Sequence, residues 1–325
     1  MAKVVISHRL HDDGMAVLEK AGVEVVITNS GDPKDMLPEL KDADGVIIRI
    51  GSIDRETMEQ CPKLKVIGRP GVGVDDVDVE AATELGIPVV IAPGANSRSV
   101  AEHAMAMMFA CAKDMIRSDK EMRNGNFGIR SSYKAYELGG KTLGLLGYGH
   151  IGSIFASMAS GIGMNVLVYD PFIKREAVEA QGYGYREDMH DILKESDVVS
   201  IHTPLTPQTR NMIGEAELQM MKKDGILINC ARGGIVDEVA LNKALDENRI
   251  HSAGTDVVVH EPIDPEDPIF HHDNIVVTPH MAGQTREAAS GVATLAAEGT
   301  VAVINGQKWD KVCNPKAYDH KRWNK

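Results

Sequence analysis

The sequence predicts an α/β protein with two doubly wound parallel sheets, one after the other along the chain. Short apolar runs rich in β-branched residues alternate with helix-compatible segments up to residue 92, and a second alternating series begins at residue 142. Such alternation is typical of parallel sheets covered by helices on both faces. The 325 residues are enough for two domains of ordinary size.

Each series supplies the strands of one predicted sheet. The first series comprises Val4–Ser7, Val23–Thr28, Gly45–Ile50, Leu64–Gly68 and Pro88–Ala92. The second comprises Thr142–Leu146, Asn165–Tyr169, Asp197–His202, Gly225–Asn229, His251–Asp256 and Ile275–Thr278. The second sheet therefore has six predicted strands, the number in a complete dinucleotide-binding sheet.

Two long helices are predicted outside the strand series. Ser99 and Glu102 form a capping-box pattern, so a helix should begin at Ser99 and run to about Arg117. A last helix, from about Arg286 to Ile304, should leave the second domain and could pack back on the first.

Composition excludes several classes of partner. The chain has 35 Lys and Arg against 47 Asp and Glu, and a net charge of −12 disfavours nucleic acid. The apolar stretch Val100–Cys111 is too short for a membrane span. The four cysteines are too widely spaced for a metal knuckle, so no metal is predicted, and their small number favours a reducing cytoplasm.

A dinucleotide-binding signature follows the first strand of the second series. Gly147, Gly149 and Gly152 form GxGxxG between a predicted strand and helix. The first glycine permits a tight turn, the second lets a pyrophosphate approach the backbone, and the third allows close helix–strand packing. His150 and Ile151 would offer N–H groups at the positive end of the helix.

The next strand ends in a carboxylate suited to a ribose. Asp170 lies 18 residues after Gly152. At about this spacing a carboxylate accepts both hydroxyls of the adenosine ribose and repels a 2′-phosphate. The sequence therefore predicts a Rossmann-like domain that binds NAD rather than NADP.

Four segments resemble the D-isomer-specific 2-hydroxyacid dehydrogenase family, most closely its phosphoglycerate dehydrogenase members. They are Leu64–Asp75, Gly147–Gly152, Cys230–Glu238 and Thr278–His280. The resemblance implies a flavodoxin-like substrate domain (1–97 and 286–325), an NAD-binding Rossmann domain (98–285) and an active site in a cleft between them. It also implies a homodimer built through the cofactor domains.

The chemistry of this family needs an acid–base group and a cation. The resemblance assigns catalysis to Arg232, Glu261 and His280. Histidine titrates near neutrality, a neighbouring carboxylate would orient its ring, and the arginine fork matches a substrate carboxylate. The resemblance also implies that Asp256 holds the nicotinamide amide. The remaining cofactor contacts that it implies are Thr203, Thr209, Cys230, Ala231 and Gly283.

The substrate itself is left open between several acids. The resemblance implies that the backbone of Val72 and Gly73 holds the carboxylate, and that Arg49, Arg69 and, more loosely, Arg130 hold a distal anion. The substrate would then be an acid like 3-phosphoglycerate or sulfolactate. A hydroxypyruvate or glyoxylate reductase without a distal anion site is the alternative. An NAD-sensing binding protein like the corepressors of this fold is a more remote one.

Overall fold

The computed structural model describes residues 1–323, and the chain divides into two compact units. One unit combines Met1–Asn96 with the chain from Gln284 onward, and the other is Ser97–Gly283. Each unit contains one parallel sheet. The predicted fold class is therefore confirmed.

The sheet of the first unit has five strands within the described residues, in the order β2-β1-β3-β4-β5. Its strands are β1 (Lys3–Ile6), β2 (Glu24–Ile27), β3 (Gly45–Ile47), β4 (Val66–Gly68) and β5 (Val89–Val90). All neighbours are parallel. This order is the flavodoxin-like arrangement, whose ligands bind at the carboxyl ends of the strands.

Aspartate caps and a closely packed helix pair support this sheet. Its helices are α1 (Asp12–Lys20), α2 (Pro33–Leu40), α3 (Arg55–Glu59), α4 (Val79–Glu84) and α12 (Arg286–Ile304). The carboxylates of Asp32, Asp54 and Asp78 accept backbone N–H groups at the starts of α2, α3 and α4. A Cβ at Gly14 of α1 would lie 2.8 Å from Ala293 of α12, so only glycine permits this close approach.

Helix α12 has the length and composition of a membrane span. Here it packs against α1, β3 and β4, as the sequence suggested for the last helix. Ala293, Ala296, Ala297 and Val303 of this helix are all buried. Its apolar character is therefore accounted for by burial in the core of the first unit.

The sheet of the second unit has seven strands among the residues described, in the order β12-β11-β10-β9-β6-β7-β8. Its strands are β6 (Thr142–Leu146), β7 (Asn165–Tyr169), β8 (Gly184–Tyr185), β9 (Val198–Ile201), β10 (Ile226–Asn229), β11 (Ser252–Thr255) and β12 (Ile275–Val277). The predicted count of six was wrong because β8 has only two residues, one of them glycine. The strand order reverses between β6 and β9, where such sheets open a ligand-binding crevice.

The predicted helix from Ser99 to Arg117 was also wrong at both ends. The helices of this unit are α5 (Ser97–Ala112), α6 (Met115–Arg123), α7 (His150–Gly161), α8 (Arg175–Glu179), α9 (Met189–Glu195), α10 (Glu215–Met220) and α11 (Glu238–Asp246). Ser99 lies inside α5, where its hydroxyl donates to the Ala282 carbonyl at 2.6 Å. Asp114 has a left-handed backbone with φ of 51°, which separates α5 from α6.

Two apolar layers cover the faces of the second sheet. One is formed by α5 and α7 and includes Met108, Leu145 and Phe155. The other is formed by α9, α10 and α11 and includes Leu227 and Leu241. The sheet is thus buried on both sides, and polar side chains can reach solvent only past its edges and strand ends.

Candidate active site

The glycine turn after β6 has little room for side chains except at its middle position. A Cβ at Gly147, whose φ is 100°, would lie 2.7 Å from the carbonyl oxygen of His202. A Cβ at Gly152 would lie 2.4 Å from the carbonyl oxygen of Gly147. Among the described residues, and apart from its two chain neighbours, no heavy atom lies within 4 Å of a Cβ placed on Gly149, so the backbone there faces open space. This arrangement fits a pyrophosphate that contacts the backbone at Gly149.

The start of α7 offers donors to the same space. Gly149 is the N-cap of α7 and provides no side-chain hydrogen bond. His150 and Ile151 begin the helix, and the first helical hydrogen bond there joins Ser153 N to Gly149 O. The N–H groups of the first turn and the positive end of the helix dipole are therefore suited to an anion.

Asp170, the predicted ribose contact, holds the glycine turn through its carboxylate. Its Oδ2 accepts the Tyr148 N–H at 2.8 Å, and its Oδ1 accepts the Phe172 N–H at 2.8 Å. Each carboxylate oxygen can accept a second hydrogen bond, so two acceptor positions remain for ribose hydroxyls. Together with the glycine turn, these contacts fit an adenine dinucleotide.

Two residues beside the glycine turn, His202 and Thr203, have buried polar atoms without a hydrogen-bond partner among the described residues. Thr203 Oγ1 and His202 Nδ1 are buried and have no partner in the described part of the chain. Burial lowers the pKa of His202 to about 4, so its ring is neutral at neutral pH. An unpaired buried hydroxyl beside the glycine turn is consistent with a position that a bound ligand completes.

The other predicted cofactor contacts lie on loops of the same unit. Thr209 Oγ1 accepts the Thr206 N–H at 2.7 Å and donates to the Pro204 carbonyl, closing a turn. Burial raises the pKa of the Cys230 thiol, which therefore stays protonated and is a poor nucleophile. Gly283, at the boundary of the unit, is partly exposed.

The predicted acid–base pair, His280 and Glu261, lies on two loops. His280 Nδ1 lies 2.7 Å from Glu261 Oε2, and about half of the His280 side chain is exposed. Glu261 Oε1 accepts the Val258 N–H at 3.3 Å, which fixes the carboxylate from its other side. Since Nδ1 faces the carboxylate, Nε2 is the ring nitrogen that remains for a substrate.

The backbone of His280 is in a left-handed conformation, with φ of 51°. Its N–H donates to the Asp256 carbonyl at 2.8 Å. A non-glycine residue in this region costs free energy and is often found at functional sites. The loop after β12 is therefore held in an uncommon shape at the predicted acid–base residue.

Asp256, the predicted nicotinamide contact, follows β11 and holds that loop in place. The carboxylate is buried and accepts three hydrogen bonds, two of them from the backbone N–H groups of Met281 and Ala282 at 2.9 and 2.8 Å. The third comes from the Thr278 hydroxyl at 2.5 Å. Sequence reasoning did not identify this fastening role. A fourth acceptor position, on Oδ2, remains for a ligand amide.

Arg232 lies on the loop after β10, which Asn229 shapes. Asn229 Oδ1 accepts the Ala231 N–H and its Nδ2 donates to the Arg232 carbonyl, both at 3.0 Å. A Cβ at Gly233 would lie only 2.0 Å from the Val258 carbonyl oxygen. The loop that bears Arg232 thus packs directly on the segment that hydrogen-bonds to Glu261.

The predicted substrate contacts of the first unit lie at the carboxyl ends of β3 and β4. Arg69 donates to the carbonyl oxygens of Gly73 at 3.2 Å, Ile48 at 2.7 Å and Arg49 at 3.3 Å, and pairs with Asp76 at 3.0 Å. Its guanidinium therefore joins the end of β3 to the loop of residues 71–73 that follows β4.

The other two predicted arginines differ from Arg69 in their surroundings. Arg49 is exposed and donates to the Arg9 carbonyl at 3.1 Å. Arg130 belongs to the second unit, in a short 3-10 helix (Phe127–Ser131). It is exposed, with its guanidinium 5.3 Å from the centre of the Phe127 ring.

Comparison with known proteins identifies the family of the chain. Residues 105–282 match the family model of the D-isomer specific 2-hydroxyacid dehydrogenase NAD-binding domain. D-3-phosphoglycerate dehydrogenase of Methanocaldococcus jannaschii is 42% identical over 97% of this chain, which spans 60% of that relative's length. Glyoxylate reductase of Thermococcus litoralis is 38% identical over 94% of both chains.

A solved structure agrees with these relatives in fold. D-lactate dehydrogenase of Aquifex aeolicus, complexed with NAD and lactic acid, superposes with a TM-score of 0.86 at 30% identity, over 96% of this chain and 99% of that one. The NAD-binding character of the matched domain confirms the cofactor prediction at the level of the family. On these grounds the chain belongs to the D-isomer specific 2-hydroxyacid dehydrogenase family.

Proposed function

We propose that the chain is an NAD-dependent oxidoreductase acting on C2 of a small 2-hydroxy or 2-keto acid. The observation that carries the proposal is the 2.7 Å hydrogen bond between His280 Nδ1 and Glu261 Oε2. Paired in this way, a histidine can exchange a proton through Nε2 while the carboxylate stabilises its charged form. Bound NAD would supply or accept the hydride at C2.

In the reducing direction, His280 acts as the acid. Protonated His280 gives its Nε2 proton to the C2 oxygen of the keto acid as that oxygen gains negative charge. Glu261 accepts the Nδ1–H throughout, which keeps the ring in one orientation and one tautomer. In the oxidising direction, neutral His280 takes the hydroxyl proton, and Glu261 then faces an imidazolium.

Arg232 is proposed to hold the substrate carboxylate. A guanidinium offers two parallel N–H groups to two carboxylate oxygens, a match that an ammonium group lacks. The Asn229 contacts and the close packing at Gly233 would hold the backbone of this arginine in place. The backbone N–H groups of Val72 and Gly73 remain proposed contacts of the substrate carboxylate.

For the rest of the substrate, we propose a distal anionic group held by Arg49. The guanidinium of Arg69 binds three carbonyl oxygens and Asp76, so we propose that Arg69 supports the loop of residues 71–73. Arg130, exposed in a surface helix, is a weaker second contact of this anion. These contacts of Arg69 also favour the alternative, a hydroxypyruvate or glyoxylate reductase, because they leave fewer cations for a phosphate or sulfonate.

The experiment compares NADH oxidation with 3-phosphohydroxypyruvate, sulfopyruvate, hydroxypyruvate and glyoxylate. An advantage of ~100-fold in kcat/KM for an acid with an anionic tail, about 2.7 kcal/mol of transition-state binding, supports the distal anion site. A preference for glyoxylate or hydroxypyruvate supports the alternative. Absence of turnover with all four acids would contradict the proposed activity and favour an NAD-sensing binding protein.

We also propose a cytoplasmic homodimer that contacts itself through the second unit. Neither α6 nor the short 3-10 helix Phe127–Ser131 has a buried residue. This part of the described chain nevertheless carries large apolar side chains. The exposed ones are Met115, Ile116, Met122, Phe127 and Tyr133. Covering such a patch with a second copy would remove apolar area from water. Light scattering at micromolar concentration should give twice the chain mass, and a Phe127→Asp variant should shift it toward the monomer.

A further inference from the structure

A chain of hydrogen bonds connects helix α5 to the loop that carries His280. His103 Nε2 lies 2.9 Å from Thr278 Oγ1, and Thr278 Oγ1 lies 2.5 Å from Asp256 Oδ1. The His103 ring is about four-fifths buried and the Asp256 carboxylate is 1% exposed. All three residues of this hydrogen-bonded series belong to the second unit.

The direction of each hydrogen bond follows from the donors available. The Asp256 carboxylate accepts backbone N–H groups on both of its oxygens, so its contact with Thr278 is also an accepting one. The single hydroxyl proton of Thr278 therefore points to Asp256. His103 must then donate its Nε2 proton to Thr278 Oγ1, which fixes the tautomer of a neutral His103 ring.

The loop is fastened to α5 at a second position on the same face. Ser99 precedes His103 by one helical turn, and its hydroxyl donates to the Ala282 carbonyl at 2.6 Å. Asp256 holds the N–H groups of Met281 and Ala282 on the other side of the same loop. The left-handed backbone of His280 is thus enclosed by contacts that begin on α5.

We propose that His103 is a positioning residue for the acid–base loop. Through Thr278 it fixes the rotamer of the Asp256 carboxylate, and that carboxylate fixes the backbone on which His280 is mounted. His103 itself would touch neither substrate nor cofactor. The effect on catalysis depends on the proposed dehydrogenase function, whereas the fastening of the loop does not.

The pairs of variants separate the hydrogen bond from mere packing. His103→Gln places an amide N–H near the position of Nε2, and His103→Leu removes the donor at similar size. Thr278→Ser keeps the hydroxyl, and Thr278→Val removes it. His190→Leu on α9 is the matched control, because its partly exposed histidine lies outside this chain of contacts.

The first readout is hydrogen–deuterium exchange of residues 278–283 in the protein without ligands. His103→Leu should speed exchange of the amides held by Asp256 by about 10-fold, while His103→Gln and His190→Leu should stay near the wild-type rate. Unchanged exchange in His103→Leu, or equally fast exchange in His103→Gln, would overturn the proposal. This outcome is independent of whether any keto acid is turned over.

The second readout is the division of the effect between kcat and KM. His103→Leu and Thr278→Val should each lower kcat by ~10 to 100-fold with KM for the keto acid within ~3-fold, and the double variant should be no worse than either. His103→Gln and Thr278→Ser should recover most of kcat. Additive losses, or an effect on KM alone, would contradict positioning through Thr278. Altered exchange together with an inactive wild type would refute the proposed activity and leave the fastening role intact.

Discussion

His280 and Glu261 lie 19 positions apart in sequence but share a 2.7 Å hydrogen bond between Nδ1 and Oε2. Glu261 follows β11 and His280 follows β12, and these strands are parallel neighbours. The carboxyl ends of adjacent parallel strands meet at one sheet edge, so the topology brings the two loops together. The proposed proton exchange through His280 depends on this pair.

Replacing Glu261 by glutamine should therefore impair catalysis more than binding. The amide keeps the size of the side chain but removes the charge that stabilises a protonated His280, so kcat should fall by roughly 100-fold with little change in KM for NADH. Steady-state kinetics test this. Glu266→Gln, a neighbouring exposed carboxylate, serves as the control and should leave kcat within ~2-fold.

The glycine turn was predictable because its geometry leaves few alternatives. Strands β6 and β7 begin and end at the residues predicted for them, and Gly147 and Gly152 occupy positions where a Cβ would meet backbone atoms. The sequence carries this information locally. The short strand β8 is different, since two residues have no periodicity to read and pair only because β7 is already in place.

The roles of Asp256 and Arg69 depend on contacts that no local pattern encodes. Asp256 binds backbone N–H groups 25 and 26 residues further along the chain, and Arg69 binds carbonyl oxygens on a neighbouring strand end. Family resemblance implied ligand contacts for both residues from the motifs in which they stand, and those contacts stay predictions. A polar His103 within the apolar run Val100–Cys111 was the available signal for a contact beneath the loop.

The two arginines of the first unit should differ in their effect on substrate preference. Arg69→Lys loses the guanidinium that joins three carbonyl oxygens and Asp76, so kcat/KM should fall by a similar factor for phosphorylated and unphosphorylated keto acids. The ratio of kcat/KM for the phosphorylated acid to that for the unphosphorylated acid should stay within ~3-fold of the wild-type ratio. Arg49→Gln should lower that ratio by ~10-fold or more. The assignment is wrong if Arg69→Lys selectively removes activity on the phosphorylated acid.

Asp170 should decide between the two nicotinamide dinucleotides. Asp170→Asn retains an oxygen for one backbone N–H but removes the charge that repels a 2′-phosphate. We expect kcat/KM for NADH to fall by ~10-fold and the preference for NADH over NADPH to fall by ~100-fold. Asp188→Asn, an exposed helix cap, is the control, and equal effects of the two substitutions would refute a role in selectivity.

His202 should make the second unit less stable in acid. Its pKa is about 4 when folded and near 6.5 when unfolded, so the unfolded chain binds a proton first as the pH falls. Stability is fully present above about pH 6.5 and is lost toward pH 4, amounting to about 2 kcal/mol between pH 7.5 and pH 5. Urea unfolding followed by circular dichroism measures this loss.

The contribution of His202 is isolated by comparing wild type with His202→Gln at both pH values. The variant should lose about 2 kcal/mol less than wild type on acidification, because glutamine does not titrate in this range. An identical loss in both proteins would show that other groups account for the acid sensitivity.

The central claim is hydride transfer to C2 with proton donation by His280. It is tested most directly by incubating the protein with NADH deuterated at both C4 positions and a 2-keto acid, and locating the deuterium in the product by mass spectrometry. We predict one deuterium at C2 of the resulting 2-hydroxy acid, and a loss of at least ~1,000-fold in the rate of its formation in His280→Asn. Oxidation of the cofactor without deuterium at C2, or a His280→Asn protein as fast as wild type, would contradict the proposed function.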